Sequence, residues 1–218
     1  MRFAAIETST EWCSVALWQG GEIAALERRA VHRHSELALP MLERLLQAAG
    51  LGPRALDAVA FGAGPGSFTG LRIACGLAQG LALAAGVPVI GISTLEALAE
   101  ESGASRVIAC LDARMREVYY AALEKSAGRW TEVLAARCVR PAALERPPGE
   151  WLGCGSGFAE YGNLGLERVQ PEVHPSAFAV ARLAAPRLAA GEGVDPALAA
   201  PRYLRDKVAY TQAELRGR

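Results

Sequence analysis

The sequence predicts an α/β fold that occurs twice along one chain. Residues 1–101 alternate short apolar segments and helical segments in the order βββαβαβα. From Ser105 the pattern starts again, because RVIACLD at 106–112 resembles RFAAIE at 2–7 and each segment ends in a carboxylate before a turn and a strand pair. Hydrophobic residues make up 51% of the chain, which is enough for a core and too many for disorder. We therefore predict two domains, 1–103 and 104–218, with a tail that returns to the first.

The first half is predicted to be a three-stranded meander followed by alternating helices and strands. Gly20-Gly21 indicates the hairpin turn between the second and third strands. In the first helix the leucines fall on one face, Gly50 lies where a C-cap belongs, and Pro40 is expected to kink or delay the start. The predicted strands are 2–8, 12–19, 22–30, 57–61 and 87–92, and the predicted helices are 35–49, 71–85 and 93–101.

The second half repeats this start and is then less regular. After strands at 106–111, 117–124 and 130–139 comes a proline-rich connection, and 150–152 is a further strand followed by the glycine-rich run 153–157. An alanine-rich helix over 176–190 is capped by Ser176 and ended by Gly191.

A glycine-rich run between a buried strand and a small-residue helix is the most distinctive stretch of the chain. Its glycines permit positive φ and close backbone approach, Pro65 fixes one turn, and Thr69 is the expected N-cap. Two interpretations stay open: a tight turn before a core helix, or a loop that faces a ligand while the helix faces a partner. The run is not a P-loop, since Gly70 is followed by Leu71-Arg72. Its loop residues are Gly64, Pro65, Gly66, Ser67, Phe68, Thr69 and Gly70.

The helix after this run has a face with few side-chain atoms. Gly76 and Gly80 are one turn apart, which lets another backbone approach closely. The helix is shorter than the ~20 apolar residues of a membrane span, and it carries Arg72 and Gln79. We therefore expect a protein partner on this face and no membrane.

Two carboxylates at equivalent strand ends suggest a nucleotide site. If the fold is duplicated, Glu7 and Asp112 would face each other across a cleft beside polar turns, as in many nucleotide–Mg²⁺ sites. The alternative is that each carboxylate caps its own turn. The candidate cleft residues are Glu7, Thr8, Ser9, Asp112 and Arg114.

Composition excludes several other functions. The chain has 23 basic and 23 acidic residues, so it lacks the basic excess of a protein that binds RNA unaided. Its five scattered cysteines form no CxxC pair and are expected to be buried thiols. His32, His34 and His174 lack the spacing of a helical metal pair, so no metal site is predicted. The N-terminus runs straight into a strand, which predicts no signal peptide and a cytoplasmic protein.

Four motifs together resemble the bacterial TsaB (YeaZ) family. They are Glu-Thr-Ser-Thr after the first strand, Gly-Ala-Gly-Pro-Gly-Ser-Phe-Thr-Gly-Leu-Arg at 62–72, Ile-Ser-Thr-Leu-Glu at 92–96, and Leu-Asp-Ala-Arg-Met-Arg-Glu-Val-Tyr at 111–119. The tail Pro-Arg-Tyr-Leu-Arg at 201–205 also fits. The resemblance covers nearly the whole chain.

This resemblance implies a duplicated actin-like, Hsp70-like (ribonuclease H-like) ATPase fold with two βββαβαβα domains. It also implies an accessory role in making N6-threonylcarbamoyladenosine in tRNA, as a scaffold that binds and activates the TsaD transferase and has no activity alone. A TsaE-like ATPase would complete the set, tRNA would be reached only indirectly, and the chain alone would form a homodimer. No cofactor would be required, although ATP or ADP with Mg²⁺ could bind weakly at the cleft or the partner interface.

Family partners meet through helices of the first domain, here 35–49 and 71–85. Carried onto this chain, the expected partner residues are Leu42, Leu45, Leu46, Leu71, Arg72, Cys75, Gly76, Gln79 and Gly80. Two other functions stay open, one from the residues and one from the family resemblance. The strand-end carboxylates would suit a small-molecule kinase of the same fold, and the older glycoprotease label would imply an M22-type metallopeptidase.

Overall fold

In a computed structural model of the chain, residues 1–205 are described. They form two five-stranded sheets, with strand orders β3-β2-β1-β4-β5 and β10-β9-β6-β7-β8. The first sheet contains β1 (Arg2–Glu7), β2 (Trp12–Gln19), β3 (Glu22–Arg29), β4 (Ala58–Gly64) and β5 (Val89–Ser93). The second contains β6 (Arg106–Asp112), β7 (Val118–Ser126), β8 (Arg129–Val139), β9 (Leu152–Cys154) and β10 (Arg168–Gln170). The helices are α1 (His34–Ala48), α2 (Phe68–Ala85), α3 (Thr94–Glu101), α4 (Ser156–Tyr161) and α5 (Ala177–Ala189).

The two sheets have the same topology, which accounts for the repeat in the sequence. In the first sheet, the central strand β1 pairs antiparallel with β2 and parallel with β4, which pairs parallel with β5. In the second, β6 pairs antiparallel with β7 and parallel with β9, which pairs parallel with β10. β1 and β6 are therefore equivalent strands, and the turns that follow them are equivalent positions.

The helices lie in layers, and the two halves exchange one helix each. α1 and α2 cover the outer face of the first sheet, while α4 covers the outer face of the second. Between the sheets, α3 packs on β6 and β7, whereas α5, from the end of the chain, packs on β1, β2 and β4. The boundary predicted at 101–105 falls between α3 and β6, but each half is covered by a helix from the other. The predicted second domain also includes 206–218, which lie outside the described residues.

The ends of several elements differ from the predictions for local reasons. The N-cap of α2 is Ser67, whose Oγ accepts from the Gly70 N–H at 3.3 Å, so the prediction of Thr69 is wrong. α1 begins at His34 and continues through Pro40. α4 and β10, with six and three residues, are too short for periodicity to reveal.

Residues 196–205, which we call the C-terminal strap, run from α2 to the second half. The Gln79 side-chain amide donates to the carbonyls of Pro196 and Ala199 at 3.1 and 3.2 Å. The Arg202 N–H donates to the Ala63 carbonyl at 2.6 Å. The Arg205 guanidinium then pairs with Glu117 at the start of β7. The strap therefore joins the two halves along one edge.

α2 is long and apolar enough to cross a membrane by length and composition alone. In the structure Ala74, Ala78 and Ala82 are buried in the core beneath the first sheet. One third of the helix is buried in this way, and the rest is not.

His174 ties the segment before α5 to the first sheet. Its Nε2 lies 3.0 Å from Glu27 Oε1, its Nδ1 lies 3.3 Å from the Glu172 carbonyl, and its ring stacks on Trp12 at 4.3 Å. Both ring nitrogens face acceptors, which favours the imidazolium form. Burial is the largest single effect and lowers the pKa of His174. The bonds to Glu27 and to the Glu172 carbonyl, together with the charges of Glu27 and Glu101, outweigh it, so the net pKa is raised.

The raised pKa predicts that the His174 contact stabilises the fold at acidic pH. Its contribution is complete below the pKa in the unfolded chain and disappears as the pH rises through the folded pKa. His174→Gln should therefore lower Tm by roughly 1–3 °C near pH ~5.5 and have little effect near pH ~8.5. The check is a set of thermal melts across this range. Glu172→Gln is the control, because Glu172 contributes its carbonyl; an equal Tm loss at both pH values for His174→Gln would contradict the prediction.

Candidate functional site

The glycine run closes directly onto the turn that follows β1. The Ser67 N–H donates to the Ser9 carbonyl at 2.7 Å, and Thr8 Oγ1 donates to the Gly70 carbonyl at 2.7 Å. A Cβ on Gly66 would lie 2.6 Å from the Ser9 oxygen, and one on Gly70 would overlap the Thr8 oxygen. These glycines are required because backbone meets backbone within this chain. The first interpretation, a tight turn before a core helix, describes the loop better than one facing a ligand.

Glu7 lies beneath this closure and does not face an open cleft. It is 1% exposed, and its Oε1 accepts from the Ser9 N–H at 2.6 Å. Oε2 has no hydrogen-bond partner within residues 1–205, and it occupies the space where Gly62 lacks a side chain. Burial raises the pKa of Glu7, because it disfavours the charged carboxylate. Since Thr8 and Ser9 are also buried, a nucleotide could reach this turn only if the glycine run moved.

Asp112 is also bound within its own half. Its Oδ1 accepts from the Arg114 N–H at 2.9 Å and from the Tyr161 hydroxyl at 3.4 Å, and its Oδ2 pairs with the Arg114 guanidinium at 3.1 Å. Each strand-end carboxylate thus accepts the N–H two residues further on. Glu7 and Asp112 therefore follow the alternative stated for the sequence, in which each carboxylate caps its own turn.

Five of the expected partner residues are not at the surface, and for them the prediction is wrong. Leu42, Leu45 and Leu46 on α1 pack into the core on the outer face of the first sheet. On α2, Leu71 and Cys75 are also buried. The leucine stripe of α1 is the side that the helix needs for its own sheet, so amphipathic spacing revealed core rather than interface.

The remaining residues of α2 lie along an open face. Arg72, Gly76 and Gly80 are exposed at successive turns, and a Cβ at either glycine would meet no atom within 4 Å. Gln79 is half-buried because its amide holds the C-terminal strap. We call the exposed stripe through these three residues the α2 face.

Large apolar side chains border the α2 face, and sequence reasoning missed most of them. Leu83 is 66% exposed at its C-terminal end, and Leu198 of the strap is 73% exposed. At the other end Arg72 stacks over Phe68 at 3.8 Å and donates to the Tyr203 hydroxyl at 3.0 Å. Leu83 could have been found by extending the helical spacing from Gly80, but no local signal places the strap beside α2.

The five cysteines are buried or half-buried thiols, and His34 and His174 make structural contacts. Burial raises the pKa of Cys13 to about 11 and that of Cys110 to about 12, so both thiols remain protonated. Cys138 is half-buried beside Arg205. His34 is buried, with Nε2 2.9 Å from the Thr10 carbonyl. Within residues 1–205 no group of three His, Cys, Asp or Glu side chains could hold a metal ion.

Comparison with known proteins agrees with this architecture. A family model for TsaD, described as tRNA N6-adenosine threonylcarbamoyltransferase, matches residues 27–163. The Escherichia coli K12 tRNA threonylcarbamoyladenosine biosynthesis protein TsaB is 39% identical, over 96% of this chain and 97% of that protein. The Haemophilus influenzae TsaB is 40% identical over 72% of each chain. A solved structure, YeaZ from Pseudomonas aeruginosa, has a TM-score of 0.88 and 38% identity, covering 93% of this chain and 99% of that one.

The paired sheets of identical topology define a duplicated α/β protein with the actin-like, ribonuclease H-like fold. The turn after β1 is closed by the backbone of the glycine run, and the α2 face is open. At 39% identity over nearly its full length, the chain belongs to the TsaB family.

The glycines of the closed turn and of the α2 face should respond oppositely to the same substitution. Gly70→Ala places a Cβ on the Thr8 carbonyl oxygen, so we expect a loss of about 2–4 kcal/mol in the free energy of unfolding. Gly80→Ala meets open space in a helix and should stabilise the fold by about 0.5–1 kcal/mol. Chemical denaturation measures both, and a Gly70→Ala variant as stable as the parent would mean that the closure is loose.

Proposed function

We propose that the chain is the non-catalytic scaffold subunit of a tRNA N6-threonylcarbamoyladenosine-modifying complex, in which it binds and activates a TsaD-like transferase. Family membership motivates the pathway, since the relatives are named for threonylcarbamoyladenosine biosynthesis. The observation that carries the scaffold role is the α2 face. It is open at Gly76 and Gly80 and bordered by exposed apolar side chains, while the strand-end carboxylates are occupied within their own turns.

The chemistry of the α2 face suits a persistent helix-to-helix contact. Glycines one turn apart allow a partner backbone to approach, and Leu83, Leu198 and Phe68 supply apolar area around them. Aromatic and arginine side chains, here the Phe68–Arg72–Tyr203 cluster, are enriched among the residues that dominate binding energy. Without the transferase, the same face would pair two copies of this chain as a two-fold homodimer.

The other expected partners belong to the same proposal. A TsaE-like ATPase completes the complex in the cytoplasm, and the transferase is the subunit that holds tRNA. A formal net charge of zero supports this division, because the isolated chain has no overall attraction for RNA.

We propose that the isolated chain requires no cofactor. The support is the burial of Glu7, Thr8 and Ser9 beneath the glycine run. Titration calorimetry with ATP or ADP and Mg²⁺ should therefore give no binding tighter than about 1 mM. Tight nucleotide binding, with turnover that is lost in Asp112→Asn, would instead favour the small-molecule kinase.

Bulky side chains on the α2 face should block the transferase without unfolding this chain. Gly76→Leu with Gly80→Leu fills open space, so the Tm should hold while affinity for the TsaD-like subunit falls about 30-fold or more. Titration calorimetry measures the affinity. Ala189→Leu, at an exposed position on α5, is the matched control. Unchanged binding by the double variant would remove the α2 face from the interface.

An omission assay tests the role itself. In a reconstituted tRNA-modification reaction, leaving out this chain should abolish product, and the parent chain should restore it. The double leucine variant should restore product poorly and Ala189→Leu fully. Product formed equally well without the chain would overturn the scaffold role, and stoichiometric metal with peptidase turnover would support the metallopeptidase instead.

A further inference from the structure

The turn after β6 has an unusual backbone. Arg114, Met115 and Arg116 have φ values of 60°, 56° and 61°, so three consecutive residues with side chains adopt the left-handed conformation. Side chains disfavour this region, and such residues normally occur singly. The turn is held at its ends, because the Ala113 N–H donates to the Glu117 carbonyl at 2.9 Å and the Glu117 N–H donates to the Arg114 carbonyl at 3.1 Å. Strain kept in this way is often found at functional sites.

This conformation leaves donors free at the surface. Within the described part of the chain, neither the Met115 N–H nor the Arg116 N–H has an acceptor. Consecutive backbone N–H groups in a turn form a concavity that attracts anions. The turn also carries two arginines, Arg114 and Arg116, which are both exposed, and the Arg114 side chain is 86% exposed. The donors and the positive charges therefore point to one kind of ligand.

The C-terminal strap contacts the turn at residues 114–116, and its Arg205 neutralises the Glu117 carboxylate. The Arg205 guanidinium pairs with Glu117 and also donates to the Arg114 carbonyl at 3.4 Å. Asp112 is occupied by the Arg114 N–H, the Arg114 guanidinium and Tyr161. Arg114, Arg116 and Arg205 thus outnumber the two carboxylates, and Arg116 has no carboxylate partner among residues 1–205.

We propose that the turn formed by Arg114, Met115 and Arg116 binds a phosphate group of the RNA backbone, and that the tRNA held by the transferase contacts this chain there. The proposal rests on the proposed function, and it refines the expectation that tRNA is reached only indirectly. An RNA backbone fits better than a mononucleotide. The residues Arg114, Met115 and Arg116 are all exposed on the surface. A polyanion lying across the surface needs no enclosing pocket.

The test removes the charges and keeps the size of the side chains. In the complex of this chain with its TsaD-like subunit, Arg114→Gln with Arg116→Gln should weaken tRNA binding about 3–10-fold at low salt. It should also lower the slope of log K against log salt by about 1–2. Fluorescence anisotropy over a salt series measures both. The control is Arg129→Gln with Arg168→Gln, which removes the same charge from exposed positions in the second half.

A second variant separates strain from binding. Arg116→Gly keeps the backbone N–H and suits positive φ, so it should raise Tm by about 2–4 °C while reducing tRNA affinity. A Tm that does not rise would mean that the turn is not strained. Tm and complex formation by size exclusion are recorded for every variant.

Each outcome of the binding experiment decides the proposal. Equal loss in the test and control pairs would mean that only overall charge matters, and no loss in the test pair would remove the turn from the RNA contact. Loss of ATP binding by the complex with tRNA affinity retained would assign the phosphate to a nucleotide and overturn the RNA assignment. A parent chain that does not bind the transferase would instead contradict the proposed function.

Discussion

The rest of the structure depends on one backbone-to-backbone contact, between the glycine run and the turn after β1. Two hydrogen bonds at 2.7 Å join Thr8 and Ser9 to the glycine run. Glycine at positions 66 and 70 allows these two backbone segments to lie so close together. This contact sets where α2 begins, because Ser67 both binds the turn and caps the helix. It therefore also sets which side of α2 meets the core and which side stays open.

The duplicated halves use equivalent positions in opposite ways. The turn after β1 is buried, and its carboxyl group is covered by Gly62. The turn after β6 is exposed and strained and carries two arginines. One of the two equivalent turns is therefore closed by the chain's own backbone, and the other is left at the surface. The C-terminal strap links them, since it pairs with Ala63 beside the first and with Glu117 beside the second.

Sequence predicted the fold well because its signals are local. Strand alternation, glycine turns and Ser caps placed β1–β9, α1–α3 and α5 within a few residues. The candidate site was harder to predict, because the exposure of a side chain depends on packing against residues that are distant in the sequence. The spacing of Leu42, Leu45 and Leu46 is the same for a helix that binds a partner and for one that packs on its own sheet. Only the structure shows that these leucines pack on the sheet. The strap and the left-handed φ of Arg116, where glycine would be the expected residue, have no periodic signature at all.

The exchange of α3 and α5 between the sheets has a consequence for how the protein is made. While the chain is being synthesised, the inner face of the first sheet is covered only in part, because α3 contacts β4 and β5 but also packs on β6 and β7, which follow it. The helix that completes this face spans residues 177–189, so it leaves the ribosome well after the strands that it covers. The inner face of the nascent first half therefore stays partly uncovered until α5 has emerged. Truncation between α3 and β6 would leave the first half without α5 and the second half without α3, so neither fragment would have a complete core.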